Sequence, residues 1–249
     1  MSDLPRAFLD RPIAHRALHG PGRPENSRAA ITAAVTAGYG IEIDLQLSAD
    51  GQAMVFHDYD LTRMTDETGP VRARNAGELT AMKLTGGEDG MPTLSQVLDM
   101  VNGAVPLLIE LKDQDGQMGP NIGALERATA QALRGYNGPT ALMSFNPRSA
   151  AEMARLCPDR PRGLTTCACD PAEYPTLTPD QCAELRSMPG LESMGATFIS
   201  HDHEDLDSSR VADRKARGLH ILSWTIRSPA EEAAARRVAV NVTFEGYPA

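Results

Sequence analysis

The sequence has no surplus of basic charge: 24 Lys and Arg stand against 33 Asp and Glu, giving a formal net charge of -9 and a pI near 5.2. General nucleic-acid binding relies on basic surfaces that displace counterions from phosphates, so this balance argues against it. Any phosphate handled here must be met by a local cation. Long hydrophobic runs are also missing, with no stretch approaching the roughly 18 apolar residues of a membrane span. Met1 to Pro12 carries neither an apolar h-region nor a basic leader. A cytoplasmic protein without stable membrane association is expected. Cysteine is sparse: Cys157, Cys167, Cys169 and Cys182 do not have the paired spacing of a zinc quartet. Without a secretory signal, ordinary half-buried thiols are expected in place of a disulfide framework. There is no Gly-x-Gly-x-x-Gly turn after the first strand, no internal repeat and no low-complexity linker.

What is present is a chain of 249 residues, 41% hydrophobic and 23% charged, long enough to bury a sizeable core. Strands and helices alternate along it. Strands are predicted at Pro12–Ala17, Ile41–Leu45, Pro106–Lys112, Thr140–Phe145, Gly163–Cys167, Ala196–His201, His220–Ile226 and Asn241–Glu245. Helices are predicted from Asn26 or Ser27 to Val35, from Thr93 towards Gly103, and over 122–133, 147–156, 179–188, 208–217 and 229–237. Eight strands with helices between them indicate right-handed βαβ units closing into an α/β fold, a (β/α)8 TIM barrel, as one domain over 1–249. An open doubly wound sheet is the alternative, weakened by the missing glycine motif. The polar, poorly periodic stretch from Tyr59 to Gly90 is too long for a simple connection. With the preceding hairpin it forms a small insertion after the second strand, spanning 45–90.

The most informative stretch is Ile41 to Asp58. Apolar and acidic residues alternate from Ile41 to Leu45, so Glu42 and Asp44 share one face of a strand. Two carboxylates on one face repel, and a hard divalent cation such as Mg2+ or Ca2+ is the usual relief. Asp50-Gly51 is a turn signal that brings His57 and Asp58 back towards them. Active sites of such barrels lie at the C-terminal ends of the strands. The residues falling there are His15, Arg16, Glu42, Asp44, Glu110, Lys112, Ser144, His201 and Trp224. Any one of them could be a strand end meeting solvent, but ionisable groups converging on one mouth cannot simply be buried together.

His15-Arg16, Pro24-Glu25-Asn26, Glu42-x-Asp44, His57-Asp58, Leu61-x-Arg63-x-Thr65, Pro92-Thr93-Leu94 and Glu110-x-Lys112 follow one another in an order and spacing that resembles the glycerophosphodiester phosphodiesterases. Ser144-Phe145 and Trp224-Thr225 add weaker support. The resemblance implies a barrel with a small insertion, and a metal-dependent hydrolysis of a small-molecule glycerophosphodiester to glycerol 3-phosphate and an alcohol. It implies one divalent cation, Mg2+ or Ca2+, held by Glu42, Asp44 and Glu110. His15 and His57 would be the general acid and base, and Arg16 and Lys112 would hold the non-bridging phosphate oxygens. Trp224 would wall the glycerol, with His201 as a further substrate contact.

Several neighbours have plainer readings. Asn26 is expected mainly to cap the first helix, Glu25 is a further site residue, and Asp58 either shapes the chain or acts on the site. Arg63 pairs the insertion to the barrel or touches substrate, and His201-x-His203 is a weak zinc pattern. The family usually has glycine after His-Arg, and here Ala17 takes that place. Two alternatives to the leading function stay open: a lipid phosphodiesterase or lyase of the same superfamily, and a non-catalytic phosphodiester-binding barrel. The head group, the choice of Mg2+ or Ca2+, the division of acid and base between the histidines, the attacking oxygen and the oligomeric state are left open.

Overall fold

A computed structural model describes residues 3–249. Its strands are β1 (Ile13–Ala14), β2 (Gly40–Leu47), β3 (Ala53–Val55), β4 (Leu107–Leu111), β5 (Thr140–Ser144), β6 (Arg162–Thr166), β7 (Phe198–Asp202), β8 (His220–Ile226) and β9 (Asn241–Phe244). All but β3 run parallel, and β1 pairs with both β2 and β9, which closes the sheet into an eight-stranded barrel. β3 lies outside the ring, antiparallel to β2. The helices are α1 (Ala7–Asp10), α2 (Arg28–Ala37), α3 (Ala76–Ala81), α4 (Leu94–Val101), α5 (Ala124–Ala132), α6 (Pro147–Leu156), α7 (Pro179–Arg186), α8 (Ser209–Ala216) and α9 (Pro229–Ala235). Among the described residues no helix is long and apolar enough to cross a membrane.

The two-residue side-chain period sorts every strand into two faces. Ala14, Ile41, Ile43, Ile109, Leu142, Ile199 and Ile221 belong to the large core shared with the helices. Ile13, Leu108, Ala141, Phe198 and Leu222 form a smaller interior cluster with Leu4 and Phe8. α1 therefore plugs the N-terminal end of the barrel, leaving polar inward residues for the opposite end. Gly163 makes room for this packing, because a Cβ there would lie 2.3 Å from the Phe198 carbonyl oxygen.

The expected first strand is cut short after Ala14, because Arg16 and Ala17 turn into the left-handed region with φ of 51° and 64°. The stretch from Tyr59 to Gly90 has more order than its weak periodicity suggests. It holds α3, with an Asn75–Glu78 capping box, and buries Leu61, Val71, Leu79 and Leu84 with Met54, Phe56 and Met91 as a separate cluster. Ser27, and not Asn26, caps α2 by accepting from the Ala30 amide at 3.1 Å.

The plug is tied down by Asn241, fully buried at the start of β9, whose Nδ2 donates to the carbonyls of Phe8 (2.7 Å) and Arg11 (2.6 Å). Removing a buried donor strands both acceptors at a cost of about 1–3 kcal/mol. Asn241→Ala is expected to lower the free energy of unfolding by that amount, read as a lower urea midpoint with the slope of the transition unchanged.

Candidate active site

At the C-terminal end of the barrel the chain leaves β1 through His15, Arg16 and Ala17. The left-handed pair turns two backbone amides onto β2: Arg16 N–H donates to Glu42 Oε2 at 2.8 Å and Ala17 N–H to the Glu42 carbonyl at 2.9 Å. Ala17 sits where glycine would be free of the left-handed penalty, and its buried methyl group joins the core.

Glu42 and Asp44 project inward from β2. Asp44 pairs in register with Glu110 of β4, which brings the third carboxylate to the same level. Glu42, Asp44 and Glu110 are 2%, 1% and 5% exposed, and one oxygen from each lies within 4.8 Å of the others. Burial, reinforced by the Asp44 and Glu110 charges, pushes the Glu42 carboxyl well above its ordinary range. Asp44 moves the other way: burial opposes its ionisation, but the charges of Lys112, His57 and Arg16 outweigh it. Lys112 Nζ lies 2.8 Å from Asp44 Oδ1 and 2.6 Å from Glu110 Oε1. Asn26 donates to Asp44 Oδ2 at 2.9 Å, so it braces a site carboxylate. Three buried carboxylates with one of them resisting ionisation make a donor set that fits a hard, oxygen-preferring divalent cation.

Both histidines expected as acid and base reach this end, and each is anchored at Nδ1 by a carboxylate. His15 is 2.6 Å from Glu245 Oε2, and His57 is 2.7 Å from Asp58 Oδ1. The β2–β3 hairpin returns His57 as anticipated: Phe56 N–H donates to the Asp44 carbonyl at 2.9 Å, and Gln46 Nε2 to the His57 carbonyl at 3.1 Å. Burial holds the His15 imidazole below its usual pKa, against the opposing pull of Glu245. Arg63 pairs with Asp58 and with Glu25 (2.5 and 2.6 Å), and Glu25 also receives Arg16 at 2.8 Å. A continuous chain of ion pairs therefore runs from Arg16 to His57.

Trp224 donates its indole N–H to the Ser200 carbonyl at 2.9 Å and meets Phe145 edge-on, with centroids 5.7 Å apart. Its ring is left as an apolar wall. The β8–β9 register shifts between Ser223 and Ile226, and both Trp224 and Thr225 line the cleft. That inner cleft of about 160 Å³ contains His15, Arg16, Glu42, Asp44, His57, Glu110 and Lys112. A second cleft of about 490 Å³ adjoins it, sharing His57, Glu110 and Lys112 and bounded outward by Tyr59 and Met118.

Two expected residues are not brought in. His201 is fully buried, with Nδ1 2.8 Å from Thr166 Oγ1 and Nε2 3.1 Å from Asp205 Oδ2, and its neighbour Ser200 faces the cleft instead. Ser144 likewise points outward, its hydroxyl donating to the Leu111 carbonyl at 2.7 Å, while Met143 and Phe145 line the cleft. In both cases the strand's own alternation put the flanking residues inside. Among the described residues His203 joins no cluster of metal-binding groups. All four cysteines are free and buried. Sequence reasoning missed Glu245, although Asn241, Thr243 and Glu245 alternate along the last strand and end on a carboxylate.

In the metal-free protein the shifts have opposite pH signs. Glu42, raised above 4.5, favours the folded state below that value and ceases to as pH climbs through the raised one. Asp44, depressed below 3.8, contributes above 3.8 and fades as pH falls. In chelator, Glu42→Gln is expected to be more stable than the parent by a margin that widens as pH rises from 4.5. Denaturant midpoints across that range check this, and a margin independent of pH would count against it.

Comparison with known proteins bears on the family and the fold. Residues 15–244 match the family model described as "Glycerophosphoryl diester phosphodiesterase family". A glycerophosphodiester phosphodiesterase of Caldanaerobacter subterraneus is 30% identical over 226 residues, covering 86% of this chain and 84% of that one. Among solved structures, an Oleispira antarctica phosphodiesterase in complex with its product sn-glycerol-3-phosphate has a TM-score of 0.80 at 26% identity, covering 97% of this chain and 95% of that one. A glycerophosphodiester phosphodiesterase of Parabacteroides distasonis has a TM-score of 0.72 at 26% identity, covering 93% and 91%.

Proposed function

The chain belongs to the glycerophosphoryl diester phosphodiesterase family, a family of phosphoric diester hydrolases, and from that membership we propose that it hydrolyses glycerophosphodiesters to glycerol 3-phosphate and an alcohol with one divalent cation, Mg2+ or Ca2+. The observation that carries this reading is the pair of carboxylate-anchored imidazoles facing three buried carboxylates in one cleft. Glu42, Asp44 and Glu110 would hold the cation. When bound, it would offset the phosphate charge and the charge that grows in the transition state.

Arg16 and Lys112 bind the non-bridging phosphate oxygens. Arg16 Nε lies buried without a hydrogen-bond partner, a donor ready for an anion. His15, hydrogen-bonded through Nδ1 to Glu245, lines the inner cleft, and with the Nδ1 proton directed at that carboxylate Nε2 is the nitrogen left to accept one. Its lowered pKa keeps it neutral and able to accept a proton. It takes that proton from the attacking oxygen as the oxygen bonds to phosphorus. His57 lines both clefts, so it stands where the phosphate meets the departing alcohol. It donates a proton to the alkoxide as the phosphorus–oxygen bond breaks. Water and the substrate's free glycerol hydroxyl both suit this apparatus as attacking oxygen. Phosphorus NMR separates them, because only the second passes through a cyclic phosphate.

Purified protein with Mg2+ or Ca2+ is expected to release glycerol 3-phosphate from glycerophosphocholine, and chelator to abolish the release. His15→Ala and His57→Ala should each lower kcat by about 10²–10⁴. Full activity in Glu42→Ala, Asp44→Ala and Glu110→Ala would refute the metal assignment. The acid limb of the kcat/KM profile should lie below 6.5, the ordinary histidine value, because burial lowers the His15 pKa. Since Glu245 raises that pKa against burial, Glu245→Gln should move the limb to still lower pH and reduce kcat.

A further inference from the structure

We propose that His15, His19 and Glu245 form a second cation site, selective for Zn2+ or a similar borderline metal, through which such an ion inhibits the enzyme. His19 follows the left-handed turn after β1, its amide donating to the Ala17 carbonyl at 2.9 Å, and Glu245 follows β9. One oxygen, Glu245 Oε2, faces both rings, 2.6 Å from His15 Nδ1 and 3.5 Å from His19 Nε2. Ligand atoms of the three residues all lie within 4.8 Å of one another.

His19 Nε2 is buried and makes no hydrogen bond. Buried polar atoms without partners are uncommon in native proteins and ask for an explanation. Two ligands each about 2.0–2.1 Å from a tetrahedral zinc ion stand about 3.3–3.4 Å apart. The His19–Glu245 separation already meets that spacing. The shorter His15–Glu245 distance is that of a hydrogen bond, and it opens when the ion replaces the Nδ1 proton. Arg227 Nε donates to the other carboxylate oxygen, Oε1, at 2.8 Å, which holds Oε2 towards the rings.

Ligand chemistry separates the two cation sites in this mouth. Glu42, Asp44 and Glu110 offer only oxygen, which suits Mg2+ or Ca2+, whereas two imidazoles and a carboxylate suit zinc. Glu25, His57 and Asp58 form another compact group, but Arg63 already occupies both of its carboxylates. At the His15, His19 and Glu245 group Arg227 takes only the outer oxygen of Glu245, Oε1, and Oε2 faces the two rings. The nearby Arg16 and Arg227 weaken cation binding there without filling the ligand positions.

An ion on His15 Nδ1 displaces the proton to solvent while Glu245 stays ionised as a ligand; the ion fixes the ring and withdraws electron density from Nε2. The ring then loses strength as a base. This inhibitory half rests on the role of His15 in the proposed function, while the binding half does not.

The test has two arms. With Mg2+ or Ca2+ saturating, ZnCl2 should inhibit glycerophosphocholine hydrolysis. His19→Ala should keep the uninhibited rate and raise the inhibitory zinc concentration about 10- to 100-fold. Independently of turnover, calorimetric titration of Glu42→Gln/Asp44→Asn/Glu110→Gln protein with ZnCl2 should show one bound ion, lost when His19→Ala is added. With Ca2+ already saturating, the ring resonances of His15 and His19 in the unmodified protein should shift on further addition of Zn2+, a readout that does not depend on the variant folding. Zinc inhibition unchanged in His19→Ala, or ring resonances indifferent to Zn2+, would overturn the site. Zinc binding at these rings in a protein that hydrolyses no diester would retain the site and defeat the catalytic reading.

Discussion

Burying three carboxylates at one end of a barrel is the constraint from which the other arrangements follow. In a low-dielectric interior, like charges this close cannot all ionise unless positive charge is brought to them. The structure brings it from several sides at once: Lys112 between Asp44 and Glu110, Arg16 beside Asp44, and the Arg16 amide on Glu42. The apolar lower half makes this concentration possible. Because α1 and the inward Ile13, Leu108, Phe198 and Leu222 fill the N-terminal end, polar side chains inside the barrel collect at the opposite one.

The two imidazoles arrive from different kinds of backbone. His15 directly follows β1, so the ring closure fixes it, and Glu245, just past the end of the neighbouring β9, orients its ring. His57 rides on the hairpin outside the ring. It is steadied by Asp58 and by the Arg63–Glu25–Arg16 chain of ion pairs, which ties the excursion to the loop after β1. Arg63 is about half exposed, so its pairs contribute more to alignment than to stability.

Much of this was legible from alternation alone. Eight strands, the shared inward face of Glu42 and Asp44, the matching face of Glu110 and Lys112, and the return of His57 all follow from a period of two and a turn signal. The same alternation, carried to the strand ends, turns His201 and Ser144 away from the mouth although both are polar, because Ser200, Met143 and Phe145 occupy the inward positions. It also selects Glu245, two positions beyond Thr243. Other features were beyond local reading. The left-handed turn at Arg16 and Ala17 is dictated by its contacts with β2, and the role of Asn26 depends on Asp44, eighteen positions away. The core of the 59–90 stretch depends on Met54 and Met91, which flank it in sequence.

The β2–β3 ladder pairs Leu45 with Val55, Gln46 with Met54 and Leu47 with Ala53, and His57 is reached two residues beyond its last rung. Side chains on such a ladder change faces at every step. Between Ala53 and His57 the lineage of this protein is therefore subject to a parity rule. One added or deleted residue turns the imidazole away from the carboxylates and Phe56 out of its cluster, while two restore both. The Ala49–Gly51 tip lies outside the paired rungs and escapes the rule. Divergence in this enzyme is then expected to gather at the tip and to pass over the return strand, which keeps an odd or even count long after its residues have changed.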